Sequence, residues 1–556
     1  MRVTAASLRH LGLAAAGAAS LAFAACSGES AIDPIPLGTV QYHAHVRPIF
    51  ESRCVGCHQP GGIAPFSMTY DPAEWQTGAA SWVPLALDSV ETGRMPPWLP
   101  AEGCRDLAFE RRLGADELGT LAEWKRQGLA VGSPSTYPGP RVVAAPPELG
   151  EPTLSVQPEA AYAPRVDRAD DYRCFVLPHE FTEETYLTAS SVVPGDTAMV
   201  HHALLFLISP ANLPTIEKLD AAEEGPGYTC FGGPGGGSLT TLGAWVPGST
   251  TIPTAPGSAF VIPKGARVVL QMHYNTLALG GMTPPTERST VRLWASPTKP
   301  THRIELLPFA HLGLEVPAGA PASLEERVFR LPTDATLVSL APHMHLLGTE
   351  LRATLERKGE SDAGGTSDET CLIDIPAWDF NWQQTYPLAK DARLPVKKGD
   401  RLRLRCTYDN SAANQPILDG TKNLPTDVHW GEGTHDEMCL LFVGLEVPFD
   451  APDFRCGAFP ECQATCPEGD ARCFFDCATV GGGQCADCLI RAVGKCAPAY
   501  CAESGIALQK CTAACKDDAP RCLGTVCADA FTTFYQCMEP HLENGDCDAT
   551  LAGCGL

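Results

Sequence analysis

The segment Lys264-Gly265-Ala266-Arg267-Val268-Val269-Leu270, followed by Tyr274, recurs as Lys398-Gly399-Asp400-Arg401-Leu402-Arg403-Leu404, followed by Tyr408. A second match keeps the chain order: Pro194, Asp196 and Val200 stand against Pro332, Asp334 and Val338. The two offsets, 134 and 138 residues, imply a pair of related units of about that size. From 166 to 450 the chain reads as short alternating runs broken by Pro and Gly, with few helical periods. The expected fold class is therefore multidomain. Its centre is two all-β antiparallel sandwiches, jelly-roll-like, at 166–300 and 301–450.

Each half carries metal-ligand side chains. In Pro342-His343-Met344-His345-Leu346-Leu347-Gly348, histidines at i and i+2 leave one face of a strand and can reach a single ion. Met438, in Asp436-Glu437-Met438-Cys439, offers a thioether to the same ion. Strand alternation puts Cys406 on an apolar face, so a Cys406–Cys439 bridge would pin Met438 in position. In the first half, His201 and His202 follow a Pro-Gly-Asp turn. Adjacent strand residues point to opposite faces, so the pair can share an ion only where the chain twists or leaves the strand. His273 lies on one face of its strand with Val269 and Gln271, which places Gln271 to orient it. A His-His-thioether set suits Cu(I) better than zinc, and three imidazoles suit copper in either redox state.

The region Tyr172 to Val447 resembles the copper type II ascorbate-dependent monooxygenases, the family of peptidylglycine α-hydroxylating monooxygenase and dopamine β-monooxygenase. The residues that carry the resemblance are Asp171-Tyr172-Arg173-Cys174, Val200-His201-His202-Ala203-Leu204-Leu205-Phe206, Leu270-Gln271-Met272-His273-Tyr274, the His343–Gly348 run and Asp436-Glu437-Met438-Cys439. The resemblance implies two copper ions. One, on His201, His202 and His273, passes an electron. The other, on His343, His345 and Met438, binds O₂ and hydroxylates the substrate. His429 also matches a family histidine, with a surface polar role equally open. Peptide-hydroxylating members carry an Arg two residues before the His-x-His and an Asn and a Tyr after the Met. Here Ala341, Leu440 and Phe442 stand there. An apolar set cannot pair a buried carboxylate, so a small apolar substrate is expected in place of a glycine-extended peptide.

Upstream, Cys54-Val55-Gly56-Cys57-His58 has the C-x-x-C-H spacing of c-type haem attachment, two thiols for the porphyrin and an imidazole for the iron. Met95 is the expected second axial ligand, and 38–132 is expected to be a small all-α cytochrome c-like domain with a helix over Ala115–Gln127. His43 and His45 read as surface residues, and Cys104 has no evident role. Eight prolines between 134 and 164 suggest a semi-rigid linker over 133–165, able to hold haem and copper apart.

Residues 1–26 read as a lipoprotein-type export signal. Arg2 and Arg9 precede an apolar run that ends Phe23-Ala24-Ala25-Cys26, and Cys26 would carry the lipid. The expected location is the periplasm or cell surface of a bacterium, anchored to the outer membrane. Disulfides are at home there, and 456–556 holds 16 cysteines, expected to staple short helices. Pairs four apart (Cys462/Cys466, Cys473/Cys477, Cys511/Cys515) put both sulfurs on one helical face. A formal charge of −24 argues against nucleic-acid partners. The expected activity is C–H hydroxylation of a small substrate with O₂, electrons coming through the haem or a small reductant such as ascorbate. The alternative is a haem- and copper-binding electron-transfer lipoprotein without hydroxylase activity.

Overall fold

The computed structural model describes residues 40–451 apart from short stretches (the longest are 276–282 and 358–368), Phe454, and parts of 485–547. The export signal, Cys26 and most cysteines of the C-terminal module lie outside the described residues. No helix among the described residues is long and apolar enough to cross a membrane.

Two sandwiches occupy the centre of the chain. In the first, a five-stranded sheet runs in the order Tyr228–Thr229, Asp170–Glu180, Arg267–Asn275, Val200–Ile208, Thr240–Trp245. Its inner face (Leu205, Leu270, Met272, Tyr274) packs on Leu187, Val192, Ile262 and Leu293 of a second sheet. In the second sandwich, the sheet Ser323–Arg330, Arg401–Tyr408, Gly348–Glu356, Thr370–Ile375 packs Leu351, Leu355 and Leu404 against Leu340, Leu441 and Leu445. Truncating any one of these buried leucines to Ala costs about 2–5 kcal/mol. The two backing sheets are one: Ser258–Ile262 pairs parallel with His302–Ala310, so nine strands run through both sandwiches. One continuous backing sheet fixes the halves relative to each other.

The Lys-Gly-x-Arg repeat is structural. Gly265 and Gly399 both sit in left-handed turns (φ +81° and +87°) that favour glycine, each ahead of a central strand. Their amides donate to equivalent carbonyls, Gly265 to Phe181 and Gly399 to Leu331. The second sequence match does not survive. Val200 opens a strand of the five-stranded sheet, whereas Val338 lies within Ala335–His343 of the nine-stranded one. The topological counterpart of Val200–Ile208 is instead Gly348–Glu356, because both flank the Lys-Gly-x-Arg strand in its sheet. The 138-residue offset was a coincidence of turn residues, since Pro and Asp open turns in any β fold.

The N-terminal region holds helices Arg47–Arg53, Val83–Glu91 and Ala115–Arg126 around an aromatic core of Tyr42, Phe50, Trp75, Trp82 and Trp124. His43 is buried in that core, so its reading as a surface residue is corrected; Tyr42 and Tyr70 enclose its ring. The linker expectation changes too. Leu154–Val156 pairs into the nine-stranded sheet, and Tyr162 is buried in the first sandwich. Cys104 does have a role, in a disulfide to Cys371 of the second sandwich. Around it Ala101 donates to Asp374, Ala108 to Pro387 and Arg105 to Cys371 and Ala392, all to backbone carbonyls. Trp98 meets Tyr386 edge-on at 5.3 Å. The N-terminal region is thus docked on the second sandwich, not held apart from it.

In the C-terminal module the helices Ala502–Thr512 and Ala528–Glu543 are described, tied by Cys496–Cys547, Cys501–Cys537 and Cys511–Cys527. Cys511 therefore bridges to Cys527, not to the residue four positions on.

Candidate metal centre

His201, His202 and His273 converge. Their three Nδ1 atoms lie 3.2–3.3 Å from one another. Nitrogens about 2.0–2.1 Å from a shared ion at near-tetrahedral angles stand at that separation, so the spacing fits a metal. The objection that adjacent strand residues diverge is answered by a β-bulge. Val200 pairs with Tyr274 and His202 with His273, leaving His201 as the extra residue that turns both imidazoles one way.

The residue that orients His273 is Asp170, whose Oδ1 lies 2.8 Å from His273 Nε2. Tyr172, cross-strand partner of His273, stacks on its ring at 4.1 Å. Gln271 has no such part, and that expectation is corrected: its amide lies against Cys230 Sγ of the Cys174–Cys230 disulfide. Alternation placed Gln271 on the correct face, but the disulfide claims its amide. Asp170 could have been found as a carboxylate two residues before Tyr172 on the neighbouring strand. A carboxylate that fixes a ligand's tautomer contributes ten- to a hundredfold to metal affinity. Asp170→Asn should weaken copper binding by that factor and Gln271→Leu should leave it unchanged, as measured by competition with a chelator of known affinity.

His343 ends strand Ala335–His343 and His345 follows it, their ring centroids 5.1 Å apart. Nδ1 of His345 meets the Asp436 carbonyl at 2.9 Å, leaving Nε2 for a ligand, and His343 is hydrogen-bonded by the Gln383 side chain. Met438 is buried just before strand Leu440–Pro448, with its carbonyl taken by Tyr408 and its neighbour Cys439 bridged to Cys406. Glu437, unremarked in the sequence, is fully buried, and its carboxylate accepts the amides of His345 (2.9 Å) and Leu347 (2.6 Å). Burial pushes its pKa up to about 8, opposed by the amides of Leu347, His345 and Met438. It holds the His-x-His turn against the Met438 segment.

One imidazole from each half meets the same aromatic ring. Phe380 stacks on His201 at 5.1 Å and meets His345 edge-on at 6.1 Å. Burial, and then the neighbouring imidazoles, lower the pKa of His201 to about 4 and of His343 to about 3. His202 is likewise held far below its ordinary value. Neutral imidazoles are the form that binds metal.

Residues 325–445 match the family described as copper type II ascorbate-dependent monooxygenase, C-terminal domain. The matched segment contains His343, His345 and Met438. No characterised protein sequence matches the chain. Among solved structures, the chain is similar to the infectious bursal disease virus VP2 subviral particle (10% identity, 55% of this chain and 74% of that one, TM-score 0.15). It is similar also to the Sputnik virophage structure (8%, 58% and 94%, 0.18) and to the CBM22 tandem domain of Paenibacillus barcinonensis Xyn10C (9%, 52% and 97%, 0.14). Similarities this weak carry no argument.

In the N-terminal region, Cys54 and Cys57 are free thiols. Burial pushes the pKa of Cys54 up to about 12 and that of Cys57 upward. His58 Nδ1 meets the Phe66 carbonyl at 3.1 Å, and its ring lies 4.6 Å from that of Phe66. Met95 follows helix Val83–Glu91, its amide on the Ser89 carbonyl. His429 is exposed on a two-stranded ribbon with Glu315–Val316.

Proposed function

We propose that this chain is an exported copper monooxygenase that hydroxylates a C–H bond of a small, largely apolar molecule with O₂. The observation that carries the reading is the convergence of three Nδ1 atoms at His201, His202 and His273, with Phe380 between His201 and His345. Copper held there would supply one-electron redox and O₂ activation. The residues themselves arrange the reaction space. Asp170 orients His273, Glu437 and the Cys406–Cys439 bridge hold the Met438 segment, and Phe380 fills the volume between the imidazoles.

An apolar substrate is supported by the register. Ala341 pairs with Phe442 and His343 with Leu440, so these side chains share the His343 face of the sheet. The alternate residues Leu340, Leu441 and Val443 fill the core behind it. A charged group on that face would be desolvated among apolar neighbours.

The haem reading rests on the free thiols Cys54 and Cys57 and on a His58 ring whose Nε2 is left for iron. In the same core Trp82 Nε1 is buried without a partner, a donor suited to a carboxylate of the porphyrin. Haem bound there would deliver single electrons, with Met95 as the proposed second ligand and ascorbate as the other candidate donor. Export and a lipid on Cys26 are supported by the N-terminal charge and apolar pattern and by the paired cysteines.

Met438→Ile tests the enzyme reading. Turnover, followed as O₂ consumption with a product one oxygen heavier by mass spectrometry, should fall to background while the fold is kept. Undiminished turnover in a folded variant would refute it.

A further inference from the structure

An open cleft lies where three parts of the chain meet. One wall is the docked N-terminal segment, with Pro97, Trp98, Phe109 and Arg111. A second is the 244–252 stretch of the first sandwich, and a third is 383–387 of the second. Small-molecule sites favour such domain junctions. Its walls reach the metal ligands from two directions. Gln383 lines the cleft and hydrogen-bonds His343, and strand Thr240–Trp245 pairs with the strand bearing His201 and His202.

Two features mark the cleft as built for a ligand. Phe109 holds φ +57°, the left-handed region that a bulky side chain rarely adopts and that clusters at ligand sites. Arg111 is half-buried and donates to the Gly248 carbonyl, yet among the described residues no carboxylate pairs with its guanidinium. Trp98, Phe109, Val246 and Ile252 give the remaining wall an apolar character.

We propose that this cleft binds the substrate as a small apolar acid. Arg111 takes the carboxylate, and the apolar body is directed along Gln383 toward His343. This rests on the monooxygenase reading and deepens it. The face around His343 is apolar, and the cation an acid needs comes from the N-terminal segment, which Cys104–Cys371 holds in place. A planar guanidinium is suited to two-point binding of a carboxylate.

The test is calorimetric titration of the full-length, copper-loaded protein with 4-phenylbutanoate and with its methyl ester, which needs no turnover. The acid should bind more tightly than the ester. Arg111→Gln should weaken the acid about ten- to a hundredfold, the scale of a charge-assisted pair. Arg111→Lys should restore part of it, and the ester should be indifferent to both changes. Equal affinity of acid and ester for the parent protein, or an acid affinity unmoved by Arg111→Gln, would overturn the proposal. Acid binding without any hydroxylated product would instead refute the enzyme reading and leave the site standing.

Discussion

His273→Ala will purify with one copper fewer than the parent protein and with turnover reduced to background. Its Nδ1 stands 3.2–3.3 Å from those of His201 and His202, and no other ring nitrogen completes that triangle among the described residues. The loss should exceed the ten- to hundredfold that removal of an orienting carboxylate causes, because a bond to the metal itself disappears. The substitution also leaves Asp170 without its imidazole, so some stability goes too, about 1–3 kcal/mol. Copper per chain, measured by mass spectrometry after dialysis against a chelator, gives the answer directly. An unchanged metal content in a protein with an intact β-sheet spectrum would break the assignment of this triad.

Glu437→Ala should be the most destabilising single change near the second set. Its carboxylate is fully buried and takes the amides of His345 and Leu347, and the Met438 amide also bears on it. Removing it leaves buried donors without partners at about 1–3 kcal/mol each. A total near 3–5 kcal/mol is expected from the two or three donors so exposed. The copper proposed at His343, His345 and Met438 should be lost with it, because the turn and the Met segment no longer have a common anchor. Glu437→Gln keeps an acceptor oxygen and should lose less. The denaturant midpoint, read beside copper content, separates the two effects. A shift under about 1 kcal/mol for the Ala variant would mean the turn is held by something else.

The sequence carried the candidate histidines far better than the residues that support them. His343 and His345 were legible because period-two spacing is local, and Lys-Gly-x-Arg because a left-handed glycine before a central strand leaves a compact signature. The Cys406–Cys439 bridge followed from alternation along a single strand. The bulge at His201 was not legible, since it depends on how Val200–Ile208 registers against a strand some 70 residues later. Asp170 was missed for the same reason: its partner lies across the sheet, and only the pairing of Tyr172 with His273 brings it near. Docking of the N-terminal segment was hidden as well. Proline density between 134 and 164 reads as separation, while the contacts that bind the parts come from residues 98–112.

The bridge from Cys104 to Cys371 joins residues 267 positions apart, with both sandwiches' worth of strands begun in between. A ribosome therefore finishes the first hundred residues long before their covalent mate exists. Any shortened version ending ahead of 371 would carry three thiols in that region instead of two, and Cys104 could exchange with Cys54 or Cys57. Fragments cut at the apparent linker would expose Cys54 and Cys57 to that exchange. Only a chain that extends through Cys371 and its sandwich, oxidised after completion, keeps Cys104 away from those two sulfurs.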